Sequence, residues 1–135
     1  MVLKDFYTIL DRSGPETGTS PSGKPVRKYT FSLELNPDHP VYQGHFKGNP
    51  VVPGVCQVQI ISELLSVVEN SPLRIVQADN IKFLTPIVPG KNRFLQVDLE
   101  IREGENDLLH VQSVILDKNN TFIKFKGTFA IDILT

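Results

Sequence analysis

Apolar and polar residues alternate one for one from Tyr29 to Leu35, in YTFSLEL, with the apolar side chains at odd positions. A period of two puts every second side chain on one face, the pattern of a strand buried on one side. The alternation returns in LQVDLEIR (Leu95 to Arg102) and more loosely in LLHVQSVILD (Leu108 to Asp117). It returns again in FIKFKGTFAIDI, where Ile123, Phe125, Phe129, Ile131 and Ile133 share one face. The intervening stretches are short turn formers, VPGKN at 88–92, EGEND at 103–107 and DKNN at 117–120, and such spacing predicts an antiparallel meander. RIVQADNIKFLTPI predicts a further strand ahead of the Pro89-Gly90 turn, and FYTIL a first one. Residues 13–25, SGPETGTSPSGKP, read as a mobile hairpin loop rather than a linker between domains, because Gly, Pro, Ser and Thr dominate them.

One segment has helical periodicity, from about Pro53 to Asn70. Pro53 and Gly54 stand near its first position and NSP ends it. At about 100° per residue, Gln59, Ser62, Glu63, Ser66 and Asn70 fall on one narrow stripe, while Ile60, Ile61, Leu64, Val67 and Val68 cover the other side. A helix that apolar belongs inside. One long buried helix with five or six antiparallel strands predicts an α+β domain whose sheet wraps around the helix 54–70.

Composition narrows the class. At 135 residues and 15.1 kDa the chain has the size of one domain, 1–135, and can bury a core without a disulfide or a metal. The lone Cys56 cannot bridge within the chain, and MVLKDFYTIL lacks the apolar run of a signal peptide, which together predict a cytoplasmic protein. No window of 18 apolar residues exists to span a membrane. With 14 Lys and Arg against 15 Asp and Glu, the net charge of -1 gives no global field for nucleic acid, so an acidic partner must meet a local patch.

The densest cluster of special residues is GHFKGNPVVPGV, Gly44 to Val55, which runs directly into the helix. It resembles the active-site loop of the hot-dog-fold β-hydroxyacyl-acyl-carrier-protein dehydratases of fatty acid synthesis. The match holds at His45, Phe46, Gly48, Pro50, Val51, Pro53 and Gly54 and departs at Lys47, where that family usually has proline. NIKFLTPIVPGKNRFLQVDLEI resembles the strand-turn-strand that follows the helix in these enzymes, so the likeness extends from about Asp38 to Ile133. It implies a hot-dog fold and removal of water from a 3-hydroxyacyl thioester. It also implies Phe46, Gly48, Val51, Pro53, Gly54 and Val55 around the substrate, with the Val51 carbonyl holding one imidazole nitrogen.

The reaction needs a base for the α-proton, an acid for the departing hydroxyl, and donors for the thioester oxygen. His45 suits the base, since imidazole titrates near pH 6.5. The first-turn Gly54 N–H, at the positive end of the helix dipole, suits the oxygen. In the family a Glu or Asp stands fourteen residues after the histidine; here that position is Gln59. An amide cannot deliver a proton. Family members with Glu at this point commonly carry Gln one turn later, and this chain has the reverse order, Gln59 then Glu63. Glu63 lies about 6 Å farther along the helix and leans back toward Gln59. It therefore either replaces the acid or belongs to a solvated or dimer-facing stripe, while Gln59 either bonds the substrate hydroxyl or fills space. Loss of a general acid typically costs 10²- to 10⁴-fold, about 3 to 5.5 kcal/mol.

The remaining candidates read as structural. His39 in NPDHPVY is a turn residue, His110 a surface or interface residue of a strand, and Cys56 a small buried residue rather than an activated thiolate. No His or Cys pair has metal-ligand spacing. Lys47, Lys82, Lys91, Arg93, Lys124 and Lys126 could dock an acidic carrier protein, although solvated strand faces account for most of them. The resemblance further implies acyl carrier protein as partner, no cofactor beyond the phosphopantetheine arm carried by the substrate, and dimers joined edge to edge in which His and acid come from different chains. The assembly is then a homodimer, a larger assembly of dimers, or a heterodimer with a homologous dehydratase. Two other readings stand: a hot-dog thioesterase or acyl-binding module, and a catalytically weak subunit that lends His45 to a partner bearing a real acid.

Overall fold

The computed structural model describes residues 3–44 and 48–132. Six strands form one antiparallel sheet: β1 (Tyr7–Thr19), β2 (Pro25–Leu35), β3 (Leu73–Phe83), β4 (Phe94–Glu103), β5 (Leu109–Leu116) and β6 (Thr121–Ile131), in the order β1-β2-β4-β5-β6-β3. A single short turn, α1 (Val41–Gly44), and one long helix, α2 (Gly54–Glu69), lie between β2 and β3. The predicted meander is β4-β5-β6. β3 is not beside β4, its successor in the chain, but pairs with β6 at the far edge.

The alternation read from the sequence decides which face carries the helix. Phe31, Leu33 and Leu35 of β2, Val97 and Ile101 of β4, Val111 and Ile115 of β5, and Ile123 and Phe129 of β6 are buried against Ile60, Ile61, Leu64 and Leu65 of α2. Full burial of one such side chain is worth roughly 1.5 to 3 kcal/mol, so this layer fixes the register of every central strand. Ile133, expected on the same face of β6, lies outside the described residues.

α2 begins and ends where the sequence signals do. Pro53 holds the N-cap position with φ -58° and ψ 146°, and its carbonyl accepts from the N–H of Cys56 (3.0 Å) and Gln57 (3.2 Å). Asn70 closes the helix in the left-handed region (φ 52°, ψ 40°), and the Ser71 N–H donates to the Ser66 carbonyl at 3.2 Å. Val67, expected on the buried side, is 45% exposed instead, two residues before the end of α2. Gln57 is buried where the pattern gave it no assignment.

The largest correction concerns residues 13–25. Rather than a loop, β1 continues through Thr19 in pairing with β2, and only 20–24 turn, closed by the Ser20 N–H to Lys24 carbonyl bond of 2.8 Å. Turn-forming composition misled because β1 is an edge strand with solvent on both faces there. Register shifts between Ile9 and Asp11 and between Ser13 and Glu16 absorb the irregular residues. Gly14 has φ +109°, and a Cβ on it would come within 2.5 Å of the Lys28 carbonyl oxygen, so the bulge requires glycine.

Candidate active site

The loop that enters α2 is pinned from one side. The buried Val52 donates its N–H to the Ile87 carbonyl at 2.8 Å, tying residues 51–53 to the segment that follows β3. Gly48 turns in the left-handed region (φ +93°) and is exposed, Val51 is half-buried, and Val55 is exposed on the first turn of α2. Gly54 meets the ring of Phe83 from β3 so closely that a Cβ there would lie 2.7 Å from the ring tip. Among the described residues no hydrogen bond is made by the Gly54 or Val55 N–H, the first-turn donors that no helical carbonyl can reach. Gly48, Val51, Pro53, Gly54 and Val55 thus line one continuous loop-to-helix junction, with Phe83 laid on it. His45 and Phe46 lie outside the described residues, as does Lys47.

About two and a half turns farther along α2 the polar stripe is organised by Glu63. Its Oε2 accepts from the Leu3 N–H at 2.8 Å and from Gln59 Nε2 at 3.0 Å, and its Oε1 accepts from the Tyr7 hydroxyl at 2.9 Å. All three neighbours are donors, so the geometry uses Glu63 as an acceptor. Burial, together with the bond to Glu63 and its charge, pushes the Tyr7 phenol well above the ordinary tyrosine range. Burial and then Glu63 also raise the Cys56 thiol, which is free and buried and so disfavoured as a thiolate. Tyr42 of α1 is buried with its hydroxyl unpartnered among the described residues and its phenol raised by burial and then by Cys56. Gln57 Oε1 is likewise buried without a partner.

The segment that reaches Glu63 is held by its own set of bonds. The Asn36 side-chain amide donates to the Asp5 carbonyl at 2.9 Å and the Asn36 N–H to the Phe6 carbonyl at 2.9 Å. His39 Nδ1 accepts from the Val41 N–H at 3.1 Å while its Nε2 donates to the Lys4 carbonyl at 2.9 Å, so the predicted turn residue also ties down residues 3–7. Phe6, fully buried, packs edge-on against the His39 ring at 5.1 Å and beside Tyr42 at 5.9 Å. Leu3 and Tyr7 are the site residues that sequence reasoning missed, and no spacing rule links them to Glu63, 60 and 56 residues away.

The expected basic patch is divided. Lys82 stands opposite Lys124 in the β3-β6 register, and Lys126 opposite Asn80, whereas Arg93 is engaged by Glu34 at 2.6 Å. Open grooves of about 650 and 390 Å³ run over the sheet's outer face, away from Gln59 and Glu63, and are lined by charges of both signs, including Lys28, Glu100 and Lys126. His110 sits by these grooves in β5, its Nδ1 3.3 Å from the Thr128 hydroxyl. No helix among the described residues is long and apolar enough to cross a membrane.

A 3-hydroxyacyl-[acyl-carrier-protein] dehydratase FabZ from the Wolbachia of Drosophila simulans is 26% identical over 113 residues, covering 73% of this chain and 75% of the relative. The FabZ of Geobacter metallireducens is 26% identical over 102 residues, 69% of this chain and 68% of the relative. Among solved structures, an uncharacterised protein of Erwinia carotovora superposes with a TM-score of 0.65 at 23% identity over 93% of this chain and 95% of its own. The dehydratase heterocomplex ApeI:P of Xenorhabdus doucetiae gives 0.62 at 18% identity over 91% and 96%. The six-stranded sheet packed on one central helix is the hot-dog arrangement that the loop motif implied. The sequence model of ApeI-like proteins, described as ApeI dehydratase, matches residues 22–125, which include the loop, all of α2 and the meander as far as the first half of β6, and the chain therefore belongs to the ApeI-like dehydratase family.

Proposed function

We propose that the chain acts on 3-hydroxyacyl thioesters carried by acyl carrier protein and removes water to give the trans-2-enoyl thioester. The observation that carries this reading is the junction at α2. Among the described residues the Gly54 N–H opens the helix without an acceptor, and the polar stripe of the helix begins five residues on, at Gln59, so a thioester oxygen and a 3-hydroxyl could be met by one element. In this scheme His45 takes the α-proton, the electron pair moves toward the thioester oxygen facing the Gly54 N–H, and its return expels the hydroxyl, which leaves as water on gaining a proton. Phe46, Gly48, Val51, Pro53 and Val55 would flank the acyl thioester. Exposed Val76, Ile81 and Phe83 on β3 fit a dimer joined along that edge, which would bring the loop of one chain to the helix of the other.

One observation favours a specific version of this assembly. Gln59 is an amide whose nitrogen is committed to Glu63, and Glu63 is surrounded by donors, so α2 offers no carboxylic acid facing outward from position 59. In a mixed dimer, His45 of this chain would act with an acid on the helix of a homologous partner. The Xenorhabdus dehydratase that shares this fold is itself a heterocomplex, which supports pairing with a second, different chain.

The test is to incubate the purified protein with a short 3-hydroxyacyl-carrier-protein, alone and with a homologous chain carrying Glu or Asp at the position of Gln59. Enoyl product is expected at a slow rate alone and about 10²-fold faster in the mixture. His45→Ala should abolish product in the mixture while circular dichroism stays unchanged. Release of free thiol without enoyl product would instead assign a thioesterase. Full rate alone, with no gain in the mixture, would exclude the mixed dimer.

A further inference from the structure

We propose that His39 is a pH-sensitive joint between the two segments that lead to the candidate site. As a neutral imidazole it binds both residues 3–7, which reach Glu63, and the short turn α1, which directly precedes His45; protonation at Nδ1 releases α1 while residues 3–7 stay in place. The joint does not depend on the dehydratase reading.

A backbone N–H can only donate and a backbone carbonyl can only accept, so the two partners of the ring fix its tautomer. The Val41 N–H, 3.1 Å from Nδ1, requires a lone pair there, and the Lys4 carbonyl, 2.9 Å from Nε2, requires a proton there. The neutral ring meets both demands and the charged ring only one. With a proton on Nδ1 two donors face each other, whereas the Nε2–H bond to Lys4 gains strength from the charge. The ring has little room to turn away, because the fully buried Phe6 lies edge-on to it at 5.1 Å and the His39 N–H is held by the Asn36 carbonyl at 3.3 Å. The part that yields is α1. It is four residues long, and its own bonds are the Tyr42 N–H to the His39 carbonyl at 3.1 Å and the Gln43 N–H to the Pro40 carbonyl at 3.0 Å. Residues 3–7 keep their two bonds to Asn36 and their two bonds to Glu63 in either state of the ring. The titratable groups around the joint are the exposed Lys4 and Asp5 on segment 3–7, the exposed Asp38 on its own turn and the buried Tyr42 of α1, with Cys56 and Glu63 of α2 beyond them. Carboxylates in general titrate about two pH units below an imidazole, and thiols and phenols above it, which leaves the window between about pH 5 and 7 to histidine. The joint is complete while His39 is neutral and opens as pH falls through its titration. Acid thus loosens the turn before His45 and spares the carboxylate.

Backbone amide exchange in the ¹⁵N-labelled full chain, corrected for the intrinsic effect of pH, tests this. Between about pH 7.5 and 5.5 the Val41 amide is expected to lose about tenfold in protection, the worth of one hydrogen bond, with the midpoint at which the His39 ring protons titrate. The Leu3 amide, bonded to Glu63, should keep its protection over the same range. An asparagine side-chain oxygen can take the place of Nδ1, accepting from the N–H two residues on, and it does not titrate. His39→Asn should therefore hold the Val41 protection flat with pH, and His39→Ala should leave it low throughout. If neither variant folds, the two wild-type midpoints decide by themselves. Val41 protection that ignores pH, a midpoint apart from that of the His39 ring, or the same acid loss in His39→Asn overturns the proposal. An equal loss at Leu3 would be a general loosening by acid and overturns the selective release of α1.

Discussion

Two sides of the same helix differ in how they are held. Ile60, Ile61, Leu64 and Leu65 of α2 are fully buried among side chains from four strands, a contact that is non-directional and shared among many neighbours. Gln59 and Glu63, half-buried, are held by directed bonds that include three around Glu63, two of them from the single segment 3–7. Packing on the first side places the helix to within the tolerance of a close-packed core; bonds on the second place one carboxylate. Stability should therefore concentrate on the apolar side and ligand discrimination on the polar side, and single substitutions should separate them.

The largest stability effect is expected from Leu64→Ala, which opens a cavity at the centre of the apolar side and should cost about 2 to 5 kcal/mol in denaturant unfolding. A loss below about 1 kcal/mol would mean that this side is loosely packed and the contrast false. Tyr7→Phe should cost only about 0.5 to 1.5 kcal/mol, the net worth of one hydrogen bond, with the unfolding slope unchanged. A cost of the Leu64→Ala size would make the brace a major structural element. The smallest effect is a pH dependence. The Tyr7 phenol is raised in the folded state, chiefly by burial and then by Glu63. Folding thus holds that proton more tightly than the unfolded chain does, and the associated stability is complete below about pH 10 and declines as pH rises beyond it. Tyr7→Phe should flatten, without abolishing, the alkaline loss of stability measured by urea unfolding between about pH 9 and 11, since Tyr42 is raised as well. Parallel slopes in the two proteins would detach Tyr7 from the carboxylate.

Legibility in the sequence followed the range of the interaction. The strands of the meander were readable because one buried face imposes strict alternation on each, and α2 because its stripe and its end signals are local. Gln59 and Glu63 were readable as neighbours, being one turn apart. Residues 13–19 were not readable as strand, because pairing with β2 and a bulge at Gly14 replace the apolar pattern that an edge strand does not need. The place of β3 beside β6 was hidden, since strand order depends on contacts between distant segments. Leu3 and Tyr7 were missed for the same reason: a backbone N–H and a tyrosine in a strand carry no mark of the carboxylate they meet. His45 stood out only through its loop motif, and it lies outside the described residues.

The most direct test of the proposal that α2 of this chain lacks a working acid is to exchange the pair. The double variant Gln59→Glu, Glu63→Gln puts an acid at the position where the resemblance of the loop motif places one and leaves an amide beside the Leu3 N–H and the Tyr7 hydroxyl. Turnover of a short 3-hydroxyacyl-carrier-protein by the protein alone should then rise by about 10²-fold or more over the wild type, the usual contribution of a general acid. A fall of similar size would contradict this and identify Glu63 as the proton donor.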